Sequence, residues 1–309
     1  MSKGDRFNRR RFLQRAGGAA GLSFAPGLSD LFAAGQAPRG GDYQIGCYTR
    51  PWDQYEYLTA FDAVAEAGFK YLGLMTAKSK TNLVISVATT PQEAEKIGRE
   101  AKDRGLRILS VYGGDIPVAE SLEAGIAGMK RLIDNCSACD AKNLMMGGTG
   151  DPALNDRYYK AVAETCDYAA EKHIGISVKP HGGLNATGPQ CRKIVETVAK
   201  KNFGIWYDPG NIFYYSDGKL DPVDDAATVD GIVVGVSVKD YRHPKEVMLT
   251  PGTGQVNFAK VLARLRQGGF RKGPLIVECL ARGKEAAEIT AEARKARTFL
   301  EAQVASLVT

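Results

Sequence analysis

The stretch "GISVKPH", residues 175–181, is an apolar run of strand length that ends on a lysine and a histidine. Its lack of polar alternation before Lys179 suits a strand covered on both faces. Lys179 and His181 are two residues apart, so on an extended chain they share a side. What that side faces depends on the rest of the chain.

Seven more runs have the same form: "YQIGCYT" (43–49), "YLGLMT" (71–76), "RILSVYGG" (107–114), "KNLMMGG" (142–148), "FGIWYDPG" (203–210), "IVVGVSVKD" (232–240) and "PLIVECL" (274–280). Helical patterns lie between them. "TAFDAVAEAG" (59–68) repeats apolar residues at helical spacing and stops at glycine, and "TPQEAEKIGREAKDRG" (90–105) opens on Thr-Pro and closes on glycine. Further helices are expected over 155–173, 189–200, 256–268 and 284–304. Eight strand-helix units with no long linker predict one α/β domain, a (β/α)₈ TIM barrel over residues 41–309. The alternative, a doubly wound open sheet, lacks its G-x-G-x-x-G after the first strand.

Of the formal charge of +6, residues 1–40 carry +5, from seven basic and two acidic residues. The remainder is nearly neutral and offers no electrostatic footprint for nucleic acid or an anionic membrane. Arg9-Arg10-Arg11-Phe12-Leu13 fits a twin-arginine export signal, followed by a Gly/Ala-rich stretch and small residues near Ala34 or Ala37 where a peptidase could cut. Residues 1–40 are therefore expected to be a signal peptide, and the protein to be exported to the periplasm or beyond. No later segment reaches the ~20 apolar residues of a membrane span. Cys136-x-x-Cys139 has no second pair or histidine at zinc-site spacing, and the other four cysteines lie in or beside apolar elements. No obligatory disulfide is expected.

Barrel chemistry is built at the C-terminal ends of the strands. With the inner face assigned by Glu278, strand parity gathers Lys179, His181, Asp208, Ser237, Lys239 and Glu278 at one mouth. Tyr48 and Arg50 after the first strand, Trp206 on the sixth and Asn211 after "DPG" are further candidates for contacting a substrate. Trp206 is equally suited to filling the core. The glycine-rich "GGTGDP" (147–152) and "PGTG" (251–254) lack Walker spacing and read as turns. His173 and His243 read as surface residues, and three histidines are too few for a multinuclear zinc site.

The succession "VKPHGG", "YDPGN", "VSVKD", "PGTGQVNFAKVLARLRQGGF" and "GPLIVECL" resembles the sugar phosphate isomerase/epimerase family, the xylose isomerase-like barrels. The resemblance covers about residues 43–300. It implies one divalent metal, often manganese, held by Glu, Asp, His and Glu from strands five to eight, which polarises a sugar carbonyl while carboxylates move the neighbouring proton. On that pattern Asp208 and Glu278 match two metal ligands. Lys179 stands where the first glutamate belongs, and Ser237 where the histidine belongs. An ammonium near the former metal position would repel a divalent ion strongly.

The expectation is an enzyme acting on a small sugar or keto-sugar by proton transfer next to a carbonyl, as isomerase or epimerase. Glu278 is expected as base, Lys179 and Lys239 as electrophilic stabilisers, with Lys179 alternatively a base or Schiff-base nucleophile if its pKa is lowered beside Lys239, and His181 as a relay. Asp208, Asn211, Ser237, Trp206, Tyr48 and Arg50 are expected to position the substrate or contact it. No cofactor is required by this reading, and a divalent metal such as manganese would rest on Asp208 and Glu278. Two alternatives remain open: a lyase cleaving keto-glycosides by β-elimination, and a silent carbohydrate-binding relative. A strand-end lysine paired with an aspartate can also be no more than a structural salt bridge.

Overall fold

The computed structural model describes residues 43–308, so the expected signal peptide at 1–40 lies outside the described residues. The eight strands are β1 (Tyr43–Tyr48), β2 (Tyr71–Leu74), β3 (Arg107–Tyr112), β4 (Asn143–Met146), β5 (Gly175–Val178), β6 (Phe203–Tyr207), β7 (Val233–Val238) and β8 (Gly273–Val277). They pair in parallel and in chain order, and β8 closes on β1 with Ile276 beside Gly46. This is the expected barrel.

The helices around it are α1 (Tyr57–Glu66), α2 (Pro91–Asp103), α3 (Leu122–Ala138), α4 (Asn155–Glu171), α5 (Gly188–Val198), α6 (Pro209–Tyr215), α7 (Pro222–Ala226), α8 (Phe258–Gln267) and α9 (Ala286–Val308). Their starts follow from local chemistry. In α2 the Thr90 hydroxyl accepts the Glu93 N–H at 3.2 Å, while Glu93 returns a bond to the Thr90 N–H at 2.8 Å, with Pro91 at the first helical position. In α6 Asp208 is the cap, which ties the start of that helix to the barrel mouth.

Each apolar run overshoots its strand at the C-terminal end. Lys179 N–H and Glu278 N–H make the last ladder bonds, to Met146 O at 3.1 Å and Val238 O at 3.0 Å, and beyond them the chain turns into the rim. Sheet hydrogen bonds thus fix the backbone from which these two side chains start.

Inside the barrel Tyr48, Leu109, Met145, Trp206, Val234 and Ile276 pack together, separately from the larger core between sheet and helices. Glycine makes room for the two large rings. A Cβ on Gly73 would lie 2.2 Å from the Tyr48 ring, and one on Gly235 2.5 Å from the Trp206 ring. Two expectations are corrected here. Tyr48, which ends β1 rather than following it, and Trp206, as its parity required, both face inward, but they are fully buried and form the floor beneath the mouth rather than a surface for a sugar ring; for Trp206 this is the core-filling role its sequence left open. The Tyr48 hydroxyl is spent on Ser110 Oγ at 3.1 Å.

All six cysteines are buried and unpaired with one another. Among the described residues no helix is long and apolar enough to cross a membrane.

Candidate active site

At the C-terminal mouth a cavity of about 330 Å³ is walled by Arg50, Met75, Thr76, Tyr112, Lys179, His181, Asn211, Tyr214, Tyr215, Lys239, Val247 and Glu278. That volume suits a small molecule. Larger grooves exist elsewhere on the surface, one under the β2–α2 connection and one between α4 and α5, but neither gathers ionisable groups in this way.

Glu278 is the hub. Its Oε1 lies 2.6 Å from Lys239 Nζ and 2.9 Å from Arg50 Nη1, and its Oε2 lies 2.5 Å from Lys179 Nζ. Asp208 Oδ2 is 2.9 Å from Lys179 Nζ and 3.2 Å from Lys239 Nζ, without hydrogen-bond alignment to either. Its Oδ1 accepts the Asn211 N–H at 2.9 Å. Asn211 in turn bonds Lys239 Nζ through Oδ1 at 2.9 Å and Pro180 O through Nδ2 at 2.6 Å, joining the ends of β5, β6 and β7. Lys179, Lys239, Asp208 and Glu278 are each at most 4% exposed. Such burial is tolerable because every charge faces an opposite one.

The electrostatics follow from this packing. Burial opposes the charge on Glu278, but Lys179, Lys239 and Arg50 outweigh it and hold its carboxyl well below the usual range. Burial likewise opposes the charge on Lys239, and there Asp208 and Glu278 outweigh it, so its pKa rises. Flanking carboxylates thus keep Lys239 an ammonium. His181 stands on the cavity wall, its backbone N–H bonded to Asn185 O at 2.9 Å and its ring between those of Tyr112 and Tyr215. Its ring is open to the cavity, yet crowding by protein, followed by the charges of Lys179 and Lys239, lowers its pKa to about 4. It is therefore neutral at physiological pH.

The mouth brings together Lys179, His181, Asn211, Lys239, Glu278 and Arg50, which extends from the short turn after β1. Two other expectations are corrected. Ser237 is fully buried one layer below Lys239 on the same strand face and does not reach the cavity. Asp208 does not line the cavity either, and acts on it through the two lysines it pairs with. Tyr112, Tyr214 and Tyr215 were not anticipated. Tyr112 has a detectable signal, as the last residue of its strand, whereas the two tyrosines of α6 have none. His173 and His243 are exposed, as expected. The "PGTG" amides are also accounted for: Asp240 accepts the N–H groups of Gly252, Gly254, Val256 and Tyr241 at 2.8–3.1 Å, so this loop closes on a carboxylate of its own chain.

The family model described as the xylose isomerase-like TIM barrel matches residues 61–303. The chain belongs to this family. Among solved structures, this xylose isomerase-like barrel is similar to a xylose isomerase domain protein from Planctomyces limnophilus, with 16% identity, TM-score 0.65, and 86% of this chain and 99% of that one covered. A D-psicose 3-epimerase solved in the presence of D-fructose gives 16% identity and TM-score 0.67 over 84% of this chain and 99% of that one. A D-allulose 3-epimerase from Methylomonas sp. gives 18% identity and TM-score 0.66 over 85% and 99%. These likenesses establish the fold. No curated protein matches the sequence.

The metal that the family resemblance implies does not fit the residues of this xylose isomerase-like barrel. Among the described residues no group of three or more His, Cys, Asp or Glu side chains is placed to hold an ion. The two matching carboxylates, Asp208 and Glu278, are bridged by Lys179 Nζ, and Lys239 bridges them a second time. A divalent ion between them would have to displace ammonium groups that cannot leave the site.

Proposed function

We propose that this protein is a sugar isomerase or epimerase-like enzyme that moves a proton on the carbon beside a carbonyl, with lysine ammonium groups stabilising the oxyanion. The observation carrying this reading is the convergence of Lys179, Lys239 and Arg50 on Glu278 at the edge of a sugar-sized cavity. Preorganised, partly desolvated cations are what an enolate oxygen requires, and they need no reorganisation as its charge develops. The D-psicose and D-allulose 3-epimerases that share the fold support a sugar as the ligand.

The proton acceptor is His181. It is neutral above about pH 4 and open to the cavity. Glu278 is a poor acceptor in the resting site because three cations hold both of its oxygens. It gains basicity as a substrate oxygen comes to share those cations in place. Asp208 positions the lysines. Export through the twin-arginine pathway remains part of the proposal, resting on Arg9-Arg10-Arg11-Phe12-Leu13, and fractionation of cells expressing the full chain with Arg9 and Arg10 replaced by lysine tests it.

The test of the reaction is proton exchange. The full chain is incubated in D₂O with a panel of keto-sugars and keto-glycosides, and deuterium incorporation is followed by NMR. Incorporation at the carbon beside the carbonyl, lost in His181→Ala and Lys179→Met, is the expected result. Exchange retained in both variants would exclude these residues. Release of an aglycone would assign the β-eliminating lyase, and sugar binding without exchange would assign a carbohydrate-binding protein.

A further inference from the structure

The charges at the mouth do not balance. Arg50, Lys179 and Lys239 face only two carboxylates, Asp208 and Glu278, so the cluster keeps one formal positive charge. The adjacent carboxylates do not supply the missing negative charge. Asp240, next to Lys239, is fully buried and committed to four backbone N–H groups. Asp53, three residues from Arg50, is paired with Arg282 at 2.9 Å.

The excess is also accessible. Arg50 is the most open of the three cations, with 26% of its side chain exposed, and it lines the cavity. It commits Nη1 to Glu278 and to Cys279 Sγ, both at 2.9 Å, while Nη2 and Nε have no protein partner among the described residues. A guanidinium with unused donors in a walled cavity is built for a planar, two-oxygen anion. A neutral sugar would leave that charge facing only hydroxyl groups.

From the unused donors of Arg50 and the uncompensated charge beside it, we infer that the sugar taken by this site carries a carboxylate, as in a uronic or aldonic acid. Arg50 binds that carboxylate. Lys179 and the rest of the cluster face the carbonyl end. This rests on the sugar reading above and adds the class of sugar to it. The cavity, at about 330 Å³, is large enough for a single sugar acid.

The test is calorimetry on the full chain at low ionic strength with matched pairs, D-glucuronate against D-glucose and D-galacturonate against D-galactose, and sodium acetate as the control anion. At least tenfold tighter binding of each acid is expected, with the preference lost in Arg50→Gln and partly kept in Arg50→Lys. Equal or weaker binding of the acids, absence of any acid binding, a preference that survives Arg50→Gln, or acetate binding as tightly as glucuronate would each overturn the inference. Deuterium exchange on neutral keto-sugars is read separately. If it proceeds while the acids show no preference, the inference fails and the proton-transfer reading stands; if the acids bind but nothing exchanges, the reverse holds.

Discussion

Lys179 fixes the character of the site. Nearly all of its side chain is buried, and its ammonium group bridges Asp208 and Glu278. Replacement by methionine keeps most of the volume and removes the charge, leaving two buried carboxylates with one bridging cation fewer. Because Lys239 and Arg50 still face them, the expected loss is about 3 kcal/mol, the low end for breaking a buried pair, measured by urea denaturation. Turnover on any accepted sugar is expected to fall at least about a hundredfold, the scale of losing one oxyanion donor. His181 makes a separate prediction. Its pKa near 4 keeps it neutral through the mildly acidic range, so kcat/KM should stay level from pH 7 to about 5 and fall only below that. A profile breaking near 6.5, the ordinary histidine value, would remove His181 from the role of acceptor.

At the scale of elements, the sequence showed which way a strand residue faces but not how deep it sits. Parity alone places Lys179 with His181, Ser237 with Lys239, and Trp206 with Asp208. The depth of each along the barrel axis depends on the stagger between neighbouring strands, which no single strand encodes. That is why Trp206 and Ser237 face inward as expected and yet lie beneath the cavity, as Tyr48 does. All eight strands were legible because doubly covered strands read as unbroken apolar runs. The helices α6 and α7 were not, because seven and five residues give too few turns for periodicity to show. The loop after β7 yields a prediction of its own. Asp240 holds it through four backbone N–H groups, and in Asp240→Asn one acceptor oxygen becomes a donor facing donors. A loss of about 3 kcal/mol is expected, from two charge-assisted bonds, together with faster proteolysis between residues 242 and 254. Unchanged cleavage there would show that Asp240 does not hold the loop.

For the whole molecule, the titrating groups define a window of stability. His181 binds its proton more weakly in the fold, at about 4 against an ordinary 6.5, and Glu278 is held well below 4.5. The unfolded chain therefore takes up more protons as pH falls, and stability declines from about pH 6.5 downward. The share from His181 is small, because its ring is open to solvent. Lys239 is raised above its ordinary 10.5, so its contribution is complete at lower pH and is lost only as pH rises beyond that value. A plateau between about pH 6.5 and 8.5 is expected in the melting temperature, ended on the alkaline side by the six buried thiols, which keep protons that the unfolded chain gives up near pH 9, and in His181→Ala the acid decline should begin lower. The melting temperature should also be indifferent to reductant. The six thiols are buried, with burial pushing Cys139 and Cys166 up to about 12, and they should react with a thiol reagent only on unfolding.

The bridging ammonium of Lys179 also changes what the protein must obtain from its surroundings. An ion has to be acquired after folding, competes with other ions for its place, and can be stripped by a chelator. Lys179 is translated with the chain, present once per molecule, and tied to its strand by four methylene groups. Elemental analysis of protein purified without affinity metal should find no stoichiometric ion, and EDTA should leave turnover unchanged. The Lys179 bridge is complete as soon as β5, β6 and β8 come together, in whatever medium the protein meets.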